Sequence, residues 1–266
     1  MKYISKLKHY IWLNYVLLFK KENFLRNFLF MENEIKKFSK DNTTGDIQDL
    51  LVNIFTLKKS RLNDMATDRP FNGQHNRKNI IEDLILKIGF EEIVETGTYL
   101  GNTTEFFSKF NIQVDSVEIS ELYYMFSRSR FLNYKNINLF NTNSIEYLQN
   151  KKMSDKKILF YLDAHSMSRE LPLAKELDVC LQFKNAVILI DDFKVPGNLD
   201  FGFDVYNGVE LAIENFNNLD DSDLYFPNYS PKESGARGYL LIDVSKNYKK
   251  VFNDVENLVK IEKSTN

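Results

Sequence analysis

Three carboxylates and one imidazole stand at the ends of two short apolar runs, Phe160-Tyr161-Leu162-Asp163-Ala164-His165 and Ile188-Leu189-Ile190-Asp191-Asp192-Phe193. Asp163, Asp191 and Asp192, gathered without partners, would repel one another and drive at least one pKa upward. A hard divalent cation removes that conflict, because oxygen donors suit magnesium or calcium. The plainer alternative has Asp191-Asp192 capping the turn that follows, with Asp163 touching only a cofactor or substrate. His165 is one of three histidines in the chain and the one beside these runs. Its near-neutral reference pKa suits a general base, and it could equally bond a substrate or support its loop.

A second group is Ile93-Val94-Glu95-Thr96-Gly97-Thr98-Tyr99-Leu100-Gly101, an apolar run that ends in an acid and turns through two glycines into a helical stretch. Gly97 lets the backbone turn and approach a ligand, and the helix N-terminus offers free N–H groups to an anion. A dinucleotide fingerprint needs Gly-x-Gly-x-x-Gly and an acid about 20 residues on. Glu118 meets the second demand, but Tyr99 and Asn102 stand where further glycines belong. Glu95, directly below the turn, would repel a pyrophosphate, whereas S-adenosylmethionine carries a cationic amino group and a sulfonium and no phosphate. A tight strand–helix turn with no ligand is the plain alternative.

These groups need a scaffold, and the hydrophobic pattern supplies one. Ile80, Ile81, Leu84, Ile85 and Ile88 predict a helix that stops at Gly89. Strand patterns follow at 93–95, 114–118, 137–140, 158–162, 186–190, 224–226 and 239–244, with helices expected at 102–110, 120–132, 144–151, 169–183 and 207–219. Such alternation predicts a Rossmann-like α/β fold, a seven-stranded, mostly parallel sheet with helices on both faces. The Pro/Ser/Gly segment before the last run makes the final two strands an antiparallel hairpin. In open sheets of this kind ligands collect at the carboxyl ends of the strands, where both groups lie.

Residues 1–68 read as a helical N-terminal extension ahead of a catalytic domain over 69–266. Phe24, Leu25, Phe28 and Leu29 fall at helical spacing, as do Ile47, Leu50, Leu51, Ile54 and Leu57. The apolar run Tyr10–Phe19 is far short of the roughly 20 residues a spanning helix needs, and Lys20-Lys21-Glu22-Asn23 follows it where a signal peptide would carry small residues. No transmembrane segment is expected. The run suits packing on its own domain, on a second copy in a homo-oligomer, or on a membrane surface. A net charge of −2 gives no basic footprint for nucleic acid. Cys180 is the single cysteine, which excludes an intrachain disulfide, reads as a buried thiol and fits a reducing cytoplasm.

Glu-x-Gly-x-x-x-Gly after the first strand, with an acid closing the second, resembles the class I S-adenosylmethionine-dependent methyltransferases over roughly residues 70–245. The likeness is to the branch that holds macrocin O-methyltransferase, cephalosporin-hydroxylase-like proteins and catechol-type, metal-dependent O-methyltransferases. It implies that Glu95, Gly97, Thr98, Tyr99 and Gly101 border the methionine part of the cofactor and that Glu118 holds the ribose hydroxyls. It places Asn143 and Ser144 by the adenine, with Asn143 where many relatives carry an acid. Asp163, Asp191 and Asp192 match the metal positions, with magnesium the first candidate, and Asp163 also borders cofactor and acceptor. The metal would grip an acceptor hydroxyl, lower its pKa and aim its oxygen at the sulfonium methyl. Lys194–Gly208, with its aromatics, acids and glycines, suits a substrate loop or an ordinary surface connection. Pro70–Gln74 resembles a lead-in segment of the family, from which Gln74 and Arg77 could reach cofactor or acceptor. Ser234–Gly238 also fits the family pattern, and its Arg237 would contact an acidic substrate or make a surface ion pair. The function so implied is O-methylation of a small-molecule acceptor, such as a sugar or glycan precursor. The alternatives are a metal-independent N- or O-methyltransferase, a nicotinamide-dependent oxidoreductase and a non-catalytic binding module.

Overall fold

The computed structural model describes residues 70–131, 133–165, 171–219, 222–232 and 235–261. The expectations for residues 1–68 and for Ser234 therefore lie outside the described residues. Among those described, no helix is long and apolar enough to cross a membrane.

The strands are β1 (Glu92–Thr96), β2 (Gln113–Val117), β3 (Ile137–Phe140), β4 (Ile158–Leu162), β5 (Ala186–Asp191), β6 (Val205–Tyr206), β7 (Val209–Glu210), β8 (Asp223–Pro227), β9 (Tyr239–Asp243) and β10 (Leu258–Ile261). The helices are α1 (His75–Ile88), α2 (Asn102–Ser108), α3 (Glu121–Arg130), α4 (Ser144–Asn150), α5 (Leu173–Cys180) and α6 (Lys249–Asn253). Eight strands form one sheet in the order β10-β8-β9-β5-β4-β1-β2-β3. β1 to β5 run parallel to one another, while β9 pairs antiparallel with β5 and with β8, and β10 pairs antiparallel with β8.

Chemistry explains this layering. Every residue of β1, β4, β5 and β9 is buried, as central strands covered on both faces must be. One layer packs Leu173, Leu177, Cys180 and Phe183 against Phe160, Ile188 and Leu240. The other packs Ile81, Leu84, Ile85 and Ile88 of α1 with Phe106 and Phe107 against Ile93, Leu159 and Leu189. Cys180 is buried, as expected.

All seven expected strands are present. The short helix α6 has no counterpart in the sequence reading, and two further features differ from it. An eighth strand, β10, extends the sheet beyond β8; its residues Leu258-Val259-Lys260-Ile261 alternate like an edge strand but are too few to stand out. The helix expected over 207–219 is not formed. Asn207 (φ 49°) and Gly208 (φ 83°) instead close a two-residue turn between β6 and β7, the left-handed pair that a tight hairpin favours. Two short 3-10 turns, Ile213–Asn215 and Asn217–Leu219, follow.

Strand order fixes where a ligand can sit. From β1 the chain moves outward to β2 and β3, then returns to place β4 on β1's other side. The crevice at the carboxyl ends of β1 and β4 is the switch point of the sheet.

Candidate functional site

At that switch point two backbones press together. Gly97 leaves β1 with φ 87°, and a Cβ built on it would lie 2.4 Å from the carbonyl oxygen of Asp163, just past β4. The glycine is therefore required by the neighbouring strand itself. Its N–H donates to Val117 O at 2.9 Å, and that of Thr98 donates to the same oxygen at 3.2 Å. Gly101 closes the turn, its N–H donating to Thr98 O at 2.8 Å; a Cβ there would lie 2.5 Å from the Phe131 ring.

The acids around this turn have separate jobs. Glu95 is buried, and its Oε2 accepts from the hydroxyls of Ser116, at 2.5 Å, and Thr104. Burial pushes its carboxyl up to about 7 against the pull of those hydroxyls. Glu95 thus ties β1 to β2 and α2, with Thr98 and Ser116 hydroxyls 2.6 Å apart beside it. Glu118, just past β2, accepts from the N–H of Tyr99 at 2.7 Å and of Ser120 at 2.8 Å, one on each oxygen. Burial raises its pKa, and those backbone donors oppose the shift. Asn143 is exposed and caps α4, its Oδ1 accepting from Ile145 N at 2.8 Å, while Ser144 is buried in the first turn.

The second group lies at the ends of β4 and β5. Asp191, the last residue of β5, is buried; its Oδ1 accepts from Arg77 Nη1 at 2.6 Å, and its Oδ2 from the Tyr161 hydroxyl at 2.5 Å. Burial alone would raise its pKa, but the charge and hydrogen bond of Arg77, with Tyr161, hold it below the usual carboxylate range. Asp163 stands 3.1 Å from the same hydroxyl and is partly exposed. Burial, then the charges of Asp191 and Asp192, push its pKa well up.

Asp192 takes φ 52°, a left-handed conformation that costs a non-glycine residue about 1–2 kcal/mol. Its Oδ1 accepts from Arg237 Nε at 2.6 Å. Burial and Asp191 push its carboxyl up to about 6. His165 is fully buried, and neither ring nitrogen finds a hydrogen-bond partner among the described residues. Its Nε2 is 3.9 Å from Asp163 Oδ1 and 4.0 Å from Asp192 Oδ2. Burial pushes the imidazole down to about 4.

Asp163, His165 and Asp192 therefore present one donor atom each, all within 4.8 Å of one another. An orphaned, buried imidazole facing two carboxylate oxygens fits a divalent cation, since leaving such a nitrogen unsatisfied is costly. The acids expected to share a cation are divided. Asp163 and Asp192 stand together, while Asp191 is engaged by Arg77.

A wall closes over this cluster. Arg237 also bonds Asp204 through Nη2, and Asp204 N donates to Asp192 O at 2.9 Å. The Tyr206 hydroxyl donates to Asp204 Oδ2 at 2.9 Å, and its ring meets that of His165 edge-on, with centroids 5.9 Å apart. Arg237 was expected at an acidic substrate or a surface ion pair; it forms an ion pair with the cluster's own acids. Tyr161 and Tyr206 gave no sequence signal of their own. The phenol of Tyr161 reads as strand, and that of Tyr206 reads as one aromatic among several in its loop.

No protein-family model matches the chain, and no curated protein does. Solved structures similar to it include cofactor-bound Rv0187 from MTB, at 15% identity over 64% of this chain and 81% of that one, with a TM-score of 0.47. Another is the O-methyltransferase TomG from Streptomyces achromogenes in complex with SAM, at 16% identity, 64% and 79% coverage and a TM-score of 0.45. A third is the SAH-bound methyltransferase PaMTH1 from Podospora anserina, at 17% identity, 73% and 87% coverage and a TM-score of 0.45. At that distance no residue of theirs lends a role to a residue here.

Proposed function

We propose that the chain is an S-adenosylmethionine-dependent methyltransferase that uses a divalent cation to methylate a hydroxyl of a small molecule. The observation that carries this reading is the abutment of Gly97 on Asp163, which sets the glycine turn directly beside the Asp163, His165 and Asp192 donors. The donor set around the turn fits this cofactor. Glu118 offers carboxylate oxygens of the kind that accept from paired ribose hydroxyls, and a carboxylate beside the turn opposes a pyrophosphate. When bound, the cofactor supplies an electrophilic methyl group on a sulfonium.

The chain's own residues would orient the other partner. Asp163, His165 and Asp192 would hold the cation, whose chemistry there is to lower the pKa of an acceptor hydroxyl. One imidazole and two carboxylates suit manganese, iron or zinc as well as magnesium. His165, pushed down to about 4, is neutral at physiological pH and presents a lone pair, which suits a ligand better than a base poised near 7. Arg237 holds one oxygen of Asp192 and leaves Oδ2 toward His165. The Tyr206 ring packs edge-on against His165 on this side.

Calorimetry with S-adenosylmethionine and with NAD, in manganese and in chelator, tests the reading. Tight S-adenosylmethionine binding is expected, with S-adenosylhomocysteine release on acceptor panels only when cation is present. NAD binding without S-adenosylmethionine binding would sink it. Turnover undiminished by chelator would replace it with the metal-independent alternative.

A further inference from the structure

We propose that Arg130, at the end of α3, is a positioning residue that clamps the glycine turn in the shape needed for the cofactor, an inference that rests on the methyltransferase reading for its ligand. Nothing in the turn's own sequence demands this helix, which lies beyond β2. Yet three groups reach from its last turn. Arg130 Nη1 donates to Leu100 O and to Asn102 Oδ1, both at 2.6 Å, and Nη2 donates to Glu105 Oε2 at 2.7 Å. The Ser127 hydroxyl donates to Tyr99 O at 2.8 Å. Phe131 fills the space that a Cβ on Gly101 would need.

Physical reasoning makes the clamp directional. Two successive carbonyls, Tyr99 and Leu100, are drawn toward α3. In a trans peptide the next N–H points opposite its carbonyl, and no peptide bond here is cis. The amides of Leu100 and Gly101 are thereby turned away from the helix, and the Gly101 amide meets Thr98 O. Tyr99 pays for this geometry with φ 50°, offset by its N–H to Glu118 and its ring contact with Tyr123, 4.6 Å between centroids. A guanidinium holding a carbonyl, an amide oxygen and a carboxylate makes charge-assisted bonds. A neutral side chain cannot replace all three. The pair with Glu105 is only partly exposed, at 23% and 33%, so solvent screens it incompletely.

The test compares wild type with Arg130→Gln, Arg130→Lys and Ser127→Ala, at a temperature where circular dichroism shows each folded. Without ligand, hydrogen exchange of the amides at 98–102 should accelerate at least tenfold in Arg130→Gln and Ser127→Ala, with β4 and β5 amides unchanged. The Kd for S-adenosylmethionine should rise about tenfold or more in both, equivalent to about 1.4 kcal/mol, and Arg130→Lys should recover part of it. Exchange in the turn that stays at the wild-type rate overturns the clamp. So does faster exchange with an unchanged Kd, since it would leave the turn's shape irrelevant to the ligand. Wild type that binds no S-adenosylmethionine would overturn the clamp's role in cofactor binding together with the methyltransferase reading, while wild-type binding with unaltered variants overturns the clamp alone.

Discussion

Arg77 Nη1 lies 2.6 Å from Asp191 Oδ1, and both side chains are almost wholly shut away from solvent. The guanidinium sits over the rings of Phe71 and Tyr239, 4.9 and 4.8 Å from their centroids. Its charge is kept because Asp191 and the surrounding phenols outweigh the cost of burial. Removing one partner strands the other's charge in the core. Arg77→Met should cost about 3–5 kcal/mol in urea unfolding, and the pair of changes Arg77→Met with Asp191→Asn should recover at least half of it. A single-variant loss under about 1 kcal/mol would contradict a buried, mutually dependent pair.

On the proposed reading the same pairing separates Asp191 from the cation ligands. Asp163→Asn, His165→Gln and Asp192→Asn should each weaken manganese binding at least tenfold by calorimetry. Asp191→Asn should act chiefly on stability, leaving the Kd for manganese within about threefold in protein that remains folded. Equal loss of affinity in all four variants would return Asp191 to the ligand set.

Glu176 supplies a pH dependence of its own. It is fully buried in the first turn of α5, with neither carboxylate oxygen in a well-formed hydrogen bond among the described residues. Burial pushes its pKa up to about 7, although the nearby Ser144 and Thr96 hydroxyls ease the charge. A raised carboxyl holds its proton in the folded state after the unfolded chain has lost it. Stability from this group is thus complete below about pH 4.5 and declines as pH rises to about 7. The decline totals roughly 3 kcal/mol. Glu176→Gln should flatten this slope and stabilise the protein at pH 8. An unchanged slope in urea titrations across that window would refute the assignment.

Two glycines with similar backbones should respond differently to alanine. Gly208 (φ 83°) has open space where a Cβ would go, so Gly208→Ala should cost only the left-handed strain, about 1–2 kcal/mol. Gly97→Ala adds a collision with Asp163 O and should cost about 2–5 kcal/mol, since overpacking brings a further 1–3 kcal/mol. Thermal unfolding of both variants checks the order; equal losses would mean that the strand ends can part without cost.

Much of this molecule is legible in the chain because strand burial writes itself as unbroken apolar runs, as in Ile158–Leu162 and Ala186–Ile190. Asp163, His165 and Asp192 stand out as candidates for the same reason, since each follows such a run, although the sequence reading puts the cation on three aspartates and gives His165 the part of a base. The fate of Asp191 was not, because its partner Arg77 lies 114 positions away on a helix whose pattern speaks only of its apolar face. The hairpin at Asn207-Gly208 carried a readable turn signal, yet the apolar residues after it mimic a helix. Arg130 left no trace, since a basic residue closing a helix is ordinary.

One consequence reaches beyond this chain. The spaces that Gly97 and Gly101 leave open are already filled, by the Asp163 backbone and by Phe131. A larger residue at either position would have to displace one of those neighbours, whether or not a ligand is bound. Retention of the turn is therefore a record of architecture, and on the proposed reading drift at Glu118, Asp163 and His165 is where a loss of chemistry would first be written.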